Sequence, residues 1–244
     1  MSSKKIKFTA PKEYLQLKEN YPKPIKFNIP DWYKKLEHKP TYQTIKGCMP
    51  FMESMTSGYV LELPQDLYIK HNVIENGKRI TKLTPSLQHH GNLNLNSLSN
   101  QKFQTHPNEQ VGKSPLNEKN LSFDIYKILN PWKIQTPKGY SCLFVPPLNN
   151  NDDRFSIIPA IVQTDTYEME INFPFVINGD KYSVLDTIFK KGTPYVQIIP
   201  FKRDDWNMMI GTRNEEENKL INLKYELNVV HKYRKRYWKK INFK

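Results

Sequence analysis

Apolar and polar residues alternate along much of the middle of the chain, and a period of two is typical of strands with one buried face. The alternation begins at Tyr59, in YVLELPQDLYIKHNVI, and resumes in GKRITKL after Asn76-Gly77, a dipeptide that favours a tight hairpin turn. Later strands are predicted in FDIYKIL, YSCLFVP, IPAIVQTDTYEMEINFPFVI and YVQIIPF. The pattern therefore predicts a mainly β core over residues 58–205.

The two ends of the chain have helical spacing instead. Residues 1–57 contain a predicted short helix near Asp31 and a second one around the run Met49 to Met55, so we interpret this region as an N-terminal strap packed on the core. In residues 206–244 the spacing predicts a helix from Asn214 to Lys240, followed by a basic aromatic tail. We expect an apolar stripe of this helix to pack on the core: Leu220, Leu223, Leu227, Val230, Tyr233 and Tyr237.

A polar stretch separates the first hairpin from the later strands. It covers about residues 84–120, is rich in Asn, Gln and Ser, and has no sustained periodicity. We predict an insertion that carries short strands.

Composition limits the class of protein. A chain of 244 residues with 12% aromatic residues can bury a sizeable core as one large domain. The sequence has no apolar run of the roughly 20 residues that span a bilayer, and its first residues do not resemble a secretory signal, so we expect a cytoplasmic protein without a membrane anchor. Cys48 and Cys142 are interpreted as two buried thiols.

Four segments, in order, resemble motifs of the dUTPase and dCTP deaminase superfamily. SGYVLELPQDLYI matches the first motif at Gly58, Tyr59 and Leu61, and TPKGYSCLFVPPLN resembles the strand that leads into the second. PAIVQTDTYEMEINFPFVIN resembles the third motif, with Tyr167 in the nucleoside-supporting position after a one-residue insertion, and KKGTPYVQIIPF resembles a later strand that contains Gln197. The resemblance implies a β-clip fold, a homotrimer, and nucleotide contacts from Tyr167, Gln163, Gln197 and Tyr59.

The chemical groups of those motifs are replaced. Val60 and Gln163 occupy the carboxylate positions, and Pro147, Leu148 and Asn149 stand where the family has Arg, Ser and Gly. An amide cannot accept a proton from water at neutral pH, and the glycine-rich motif that would close over a triphosphate has no counterpart. We therefore predict no catalytic residues and no cofactor, so the resemblance favours the fold and not the activity.

The strongest sequence feature for a partner is the ending HKYRKRYWKKINFK. Lys232, Arg234, Lys235, Arg236 and Trp238 combine cations with an aromatic ring, as in surfaces that bind single-stranded nucleic acid. The alternative is a docked helix end with solvated lysines. The net charge of +13 would attract a polyanion in either case. The histidines lack the spacing of metal ligands, so we expect no metal site.

Three functions stay open at the level of sequence. The leading one is a non-catalytic β-clip module that acts as a structural or interaction protein, with an unknown protein or with itself. The second is an accessory protein that binds polyanions or nucleic acid, and the third is a divergent nucleotide-binding relative of dUTPase. The pattern also resembles proteins of tailed phages of marine bacteria, which implies a location in the host cytoplasm or in the virion.

Overall fold

The computed structural model describes residues 4–39, 44–85, 104–226 and 232–244. Within them the chain is mainly β, as the alternating pattern predicts. The strands are β1 Lys7–Thr9, β2 Lys23–Pro24, β3 Tyr59–Glu62, β4 Leu67–Glu75, β5 Lys78–Pro85, β6 Gln104–His106, β7 Ile125–Ile128, β8 Lys133–Gln135, β9 Tyr140–Val145, β10 Phe155–Ile157, β11 Ala160–Val162, β12 Phe173–Ile177, β13 Leu185–Phe189 and β14 Pro194–Lys202. The α-helices are α1 Asp31–Lys35, α2 Met49–Ser54, α3 Pro115–Lys119, α4 Glu215–Glu226 and α5 Lys232–Arg236.

These strands form four antiparallel groups. The largest has the order β11-β9-β14-β3-β2, and the others are β10-β12-β7-β6, β13-β4-β5 and β1-β8. Strand β14 is the central strand of the largest sheet. It pairs with β9 from Gln197↔Val145 to Lys202↔Tyr140, and with β3 from Pro194↔Glu62 to Ile198↔Tyr59. The neighbouring hairpin is confirmed: Asn76 and Gly77 both have positive φ, as a tight turn between β4 and β5 requires.

The core lies between these sheets and is rich in aromatic rings. Phe155 stacks on Phe189 with centroids 4.6 Å apart, and Phe173 contacts both Phe144 at 5.5 Å and Tyr195 at 5.7 Å. Each of these five side chains is at most 6% exposed. Burying rings of this size contributes roughly 1.5–3 kcal/mol each, which compensates for the modest apolar content.

We call the four groups of strands together the body, and the strap joins the body at Gly58. The amide of Ile25 donates to the Gly58 carbonyl, and β2 pairs with β3 next to it. Gly58 has φ +86°, and a Cβ there would lie 2.0 Å from the carbonyl oxygen of Ile198 on β14. Only glycine fits, so this residue lets the strap and the central strand approach each other.

The two cysteines differ from each other. Cys142 on β9 is buried, and desolvation raises the pKa of its thiol to about 11. Cys48 is exposed, so its predicted burial is wrong. It immediately precedes α2, whose inward position is taken by the next residue, Met49.

The C-terminal region departs most from its prediction. The single helix predicted from Asn214 to Lys240 corresponds to α4, which ends at Glu226, and α5, which ends at Arg236. Residues 227–231, which include Leu227 and Val230, lie outside the described residues. The expected packing on the core is wrong for the described members of the stripe: Leu220, Leu223, Tyr233 and Tyr237 are 42–58% exposed.

Of the polar stretch, residues 86–103 lie outside the described residues, and the remainder includes β6 and α3. No described helix has the length and apolar character needed to cross a bilayer.

Candidate functional site

Gln197, one of the four residues implied in nucleotide contacts, lies in the middle of β14 with no exposed surface. Its Oε1 accepts a hydrogen bond from the Leu148 amide at 3.0 Å, and its Nε2 donates to the carbonyls of Ser54 and Ser57, each at 2.8 Å. The side-chain amide therefore connects three separate segments: the central strand, the end of α2 and the loop after β9. It has no donor left for a ligand.

Gln163 and Tyr167 lie together at the far side of the sheet. The Gln163 carbonyl accepts hydrogen bonds from the amides of Thr166 and Tyr167, at 3.1 and 2.9 Å, in a turn directly after β11. The last residue of β11, Val162, pairs with Cys142 of β9. Gln197 of β14 pairs with Val145, which lies three residues further along the same strand. Three residues along a strand and two strand spacings across it separate the two sites by more than about 10 Å.

Tyr59, the fourth residue, is enclosed by the two ends of the chain. Its ring contacts Phe8 at 5.4 Å and Phe243 at 5.8 Å, and its hydroxyl donates to the Lys244 carbonyl at 3.2 Å. The structure thus does not bring the four residues together, and a nucleotide contact from them stays a prediction.

The basic ending borders a cavity of about 360 Å³ between α5 and the strap. Lys46 is held in place there, because its Nζ donates to the carbonyls of Lys34 and Leu36 at 2.7 and 3.0 Å. The side chains around the cavity are apolar or basic: Tyr33, His38, Lys46, Met49, Met52, Arg234 and Trp238. Lys235 and Arg236 are exposed on α5, and Lys232 begins that helix. Two of the five predicted basic-tail residues, Arg234 and Trp238, therefore line one site.

A smaller cavity of about 150 Å³ lies beside Tyr195 and the loop after β9. The two carboxylates of that loop are already paired: Asp152 with Arg154 at 2.6 Å, and Asp153 with Lys181. Among the residues that the structure describes, no three His, Cys, Asp or Glu side chains are grouped as metal ligands.

A clamp between Asp165 and Arg203 stands at the end of β14. The Arg203 guanidinium donates to both carboxylate oxygens of Asp165 at 2.7 and 2.5 Å and also to Ser141 Oγ at 2.9 Å. The Gly139 amide donates to the same carboxylate, while the Arg203 amide donates to the Gly139 carbonyl. These bonds, above all those from Arg203, lower the pKa of Asp165 to about 2, so the clamp is ionised at neutral pH.

Directly after the clamp the chain leaves the sheet. We call residues 204–226 the C-terminal arm: a segment without regular secondary structure, followed by α4. Trp206, Met208, Met209 and Ile210 are 85–94% exposed, which makes them the most exposed large apolar side chains that the structure describes. In α4, Leu220, Ile221 and Leu223 are 52–58% exposed.

Such a run is unusual on a protein surface. Single exposed apolar residues are common, but a contiguous apolar segment marks an interaction site more often than a free surface. Sequence reasoning missed it because WNMMI has no strand or helix period, although four apolar residues within five positions were a signal. The clamp was missed because its two members are 38 residues apart.

Comparison with models of known protein families and with curated proteins finds no match to this chain.

Proposed function

We propose that this protein is a non-catalytic interaction module, in which a β body of the clip type presents the C-terminal arm to another protein chain. The near-complete exposure of Trp206, Met208, Met209 and Ile210 carries the proposal. Water-exposed apolar area is unfavourable by about 25 cal/mol per Å², and a partner that covers these side chains would remove that penalty.

The clamp supports this function because it fixes where the arm begins. Arg203 is bonded to Asp165, Ser141 and Gly139, so the arm leaves the body from a defined position. Beyond the arm, Lys26 Nζ donates to the Phe243 carbonyl at 2.8 Å, which ties the last residues to the body. An arm whose first residue is held in place loses less conformational freedom when it binds.

The lack of catalysis is supported by how the polar groups of the body are used. The Gln197 amide is saturated by backbone partners, and Asp165, Asp152 and Asp153 are each paired with a cation. A general base needs a free acceptor beside its substrate. The clip type is supported by the order of the strand signals and by the antiparallel sheets around β14.

Photo-crosslinking tests the proposal. A benzoylphenylalanine at position 209 should form adducts with a protein in cells that produce this chain. The same group at position 74, an apolar site 75% exposed in the β4–β5 hairpin, should not. Replacing Trp206, Met208 and Ile210 with Ser should abolish the adducts from position 209. Equal labelling from both positions would contradict the proposal.

A second function, binding of a polyanion, is supported by the cavity beside α5. Arg234 and Trp238 place a cation and an aromatic ring opposite the fixed ammonium of Lys46. If this surface binds single-stranded nucleic acid, replacing Lys232, Arg234, Lys235 and Arg236 with Gln should weaken binding and flatten its salt dependence. Unchanged salt dependence in an oligonucleotide titration would exclude this role for α5.

A further inference from the structure

We propose that the partner of the C-terminal arm is a second copy of this chain: the arm of each copy docks on the strap of the other across a two-fold axis. The surface that receives the arm lies within residues 23–54 of the strap. The inference rests on the proposed function, since it identifies the chain that the arm contacts.

Charge complementarity is the first argument. The arm carries six carboxylates and three basic residues, whereas the rest of the chain carries 34 basic and 18 acidic residues. Residues 23–54 of the strap have the opposite balance to the arm, with six lysines and three carboxylates. One chain therefore contains both halves of a complementary pair.

The carboxylates of the arm are also available. Asp205, Glu215 and Glu216 have no ionic partner among the residues that the structure describes, and their surroundings in the arm are exposed. On the strap, Lys35 is likewise exposed and unpaired within the described part of the chain. These groups could meet across an interface without breaking an existing pair.

Apolar surface is the second argument. The strap exposes Phe27 at 69%, Ile45 at 42% and Trp32 at 38%, so it offers apolar rings and branched carbons among its lysines. The exposed side chains of the arm amount to an apolar area on the order of 600–800 Å² per copy. In a reciprocal dimer both arms are covered, so the buried apolar area of the arms is twice this value. The contact then reaches the size of a standard specific interface, which buries about 800 Å² per partner.

Within one chain the arm leaves the apolar side chains of its own strap uncovered: Met209 is 94% exposed, and Phe27 and Ile45 are 69% and 42% exposed. The strap is bonded to β14 near Gln197, through Ser54 and Ser57, while the arm begins after Arg203, six residues further along. Six residues of strand place the arm's origin about 20 Å away from that junction. The arm's apolar side chains stay exposed in the single chain, and a two-fold axis is the smallest symmetry that supplies each arm with a strap.

Sedimentation and light scattering of the purified full chain over a concentration series test the inference. The wild type should be a dimer, and an arm variant with Trp206, Met208, Met209 and Ile210 all replaced by Ser should dissociate at least about 100-fold more readily. A strap variant with Phe27→Glu, Lys35→Glu and Ile45→Glu should dissociate similarly. Ile74→Ser, an exposed apolar residue outside both regions, is the matched control and should leave the dimer unchanged.

A mixing experiment makes the test specific to arm exchange. The arm variant retains a normal strap and the strap variant retains a normal arm, so a mixture should form heterodimers through one intact contact although each variant alone is monomeric. A charge exchange offers an independent route: Lys35→Glu should weaken the dimer, and Glu215→Lys with Glu216→Lys should restore it in part. Unfolding curves of every variant show whether a monomer is still folded.

Three outcomes would overturn the inference. These are a wild-type monomer at all concentrations, a dimer that persists in the arm variant, and the mass of a trimer, which is incompatible with a two-fold axis. A wild-type monomer whose position 209 still crosslinks to a different protein in cells would leave the proposed function standing and remove only the second copy as its partner.

Discussion

Strand β14 and the C-terminal arm are consecutive in sequence and opposite in environment. Val196 and Ile198 have no exposed surface, whereas Trp206 and Met209, only a few residues later, are 88% and 94% exposed. Both segments are strongly apolar. What differs is the partner: β14 is paired on both edges, and no described part of the same chain covers the arm.

This contrast shows that apolar content alone does not decide where a segment lies. In β14 every residue except Tyr195 is paired with a residue of β3 or β9, and Gln197 adds bonds to two further segments. The arm begins after the clamp at Arg203 and pairs with none of the described strands. Its apolar residues are therefore better explained by a surface outside the chain than by the stability of the body.

The largest effect should come from Gly58, at the most crowded point of the body. In Gly58→Ala the new Cβ would meet the Ile198 carbonyl oxygen at 2.0 Å in a backbone conformation with φ +86°. We expect a loss of roughly 3–5 kcal/mol in the free energy of unfolding, measured by denaturant titration. Gly192→Ala is the control, since its φ is +82° but no atom lies within 4 Å of its Cβ position. Equal losses for the two variants would mean that backbone conformation, not crowding, limits the position.

Gln197 gives the next effect in size. Gln197→Leu leaves the carbonyls of Ser54 and Ser57 and the Leu148 amide without their side-chain partner at partly buried positions. We expect a loss of roughly 2–4 kcal/mol in unfolding titrations, since each of the three hydrogen bonds contributes about 0.5–1.5 kcal/mol. Gln163→Leu, at an exposed turn in the same body, should change stability by less than about 0.5 kcal/mol. Similar losses at the two positions would refute the view of Gln197 as a connecting residue.

His71 should make the body sensitive to acid. Its imidazole on β4 is fully buried, and its Nε2 has no hydrogen-bond partner among the residues that the structure describes. Desolvation, and to a smaller extent the charge of Arg79, lowers the pKa of this imidazole to about 4. As the pH falls, His71 is protonated in the unfolded chain before it is protonated in the folded chain. The free energy of unfolding is therefore highest above about pH 6.5 and decreases as the pH falls toward 4. We expect a loss of about 1–3 kcal/mol across this window. In His71→Leu the dependence should flatten, and an unchanged slope would assign the acid sensitivity to other groups.

The smallest effect on stability should come from the arm. Replacing Trp206, Met208, Met209 and Ile210 with Ser removes exposed side chains that contact no described core, so under dilute, monomeric conditions unfolding should shift by at most about 0.5 kcal/mol. The same substitutions should abolish assembly. A marked drop in the melting temperature of the monomer would show that the arm packs on its own body and would remove the contrast between the two regions.

Local patterns in the sequence predicted local structure well. Asn76-Gly77 marked the hairpin, and alternation from Tyr59 onward marked the strands of the body, because both depend on neighbours in sequence. The spacing after Asn214 predicted a helix correctly at α4 but not its environment, since the position of a helix depends on whether a distant surface receives it.

Long-range polar contacts were beyond the reach of sequence. The bonds from Gln197 to Ser54 and Ser57 cross about 140 positions, and those between Asp165 and Arg203 cross 38. A glutamine in a strand and an aspartate in a turn are ordinary residues until the fold gives them partners. The resemblance predicts a nucleotide contact from Gln197, which stays a prediction, but it gave no sign of the bonds from this amide to three backbone groups.

The enclosure of Tyr59 has a practical meaning for protein engineering. Phe8 and Phe243 both contact this one ring, at 5.4 and 5.8 Å, so the first strand and the last residues of the chain meet at a single place on the body. A short glycine-rich linker could join residues 4 and 244, and new ends could be opened at the tip of the β4–β5 hairpin, where no atom of the described residues lies within 4 Å of the Cβ position of Gly77. Such a circular permutant would keep the arm as an internal loop, and reporter groups fused to the new ends would be attached at the hairpin tip and not next to Tyr59.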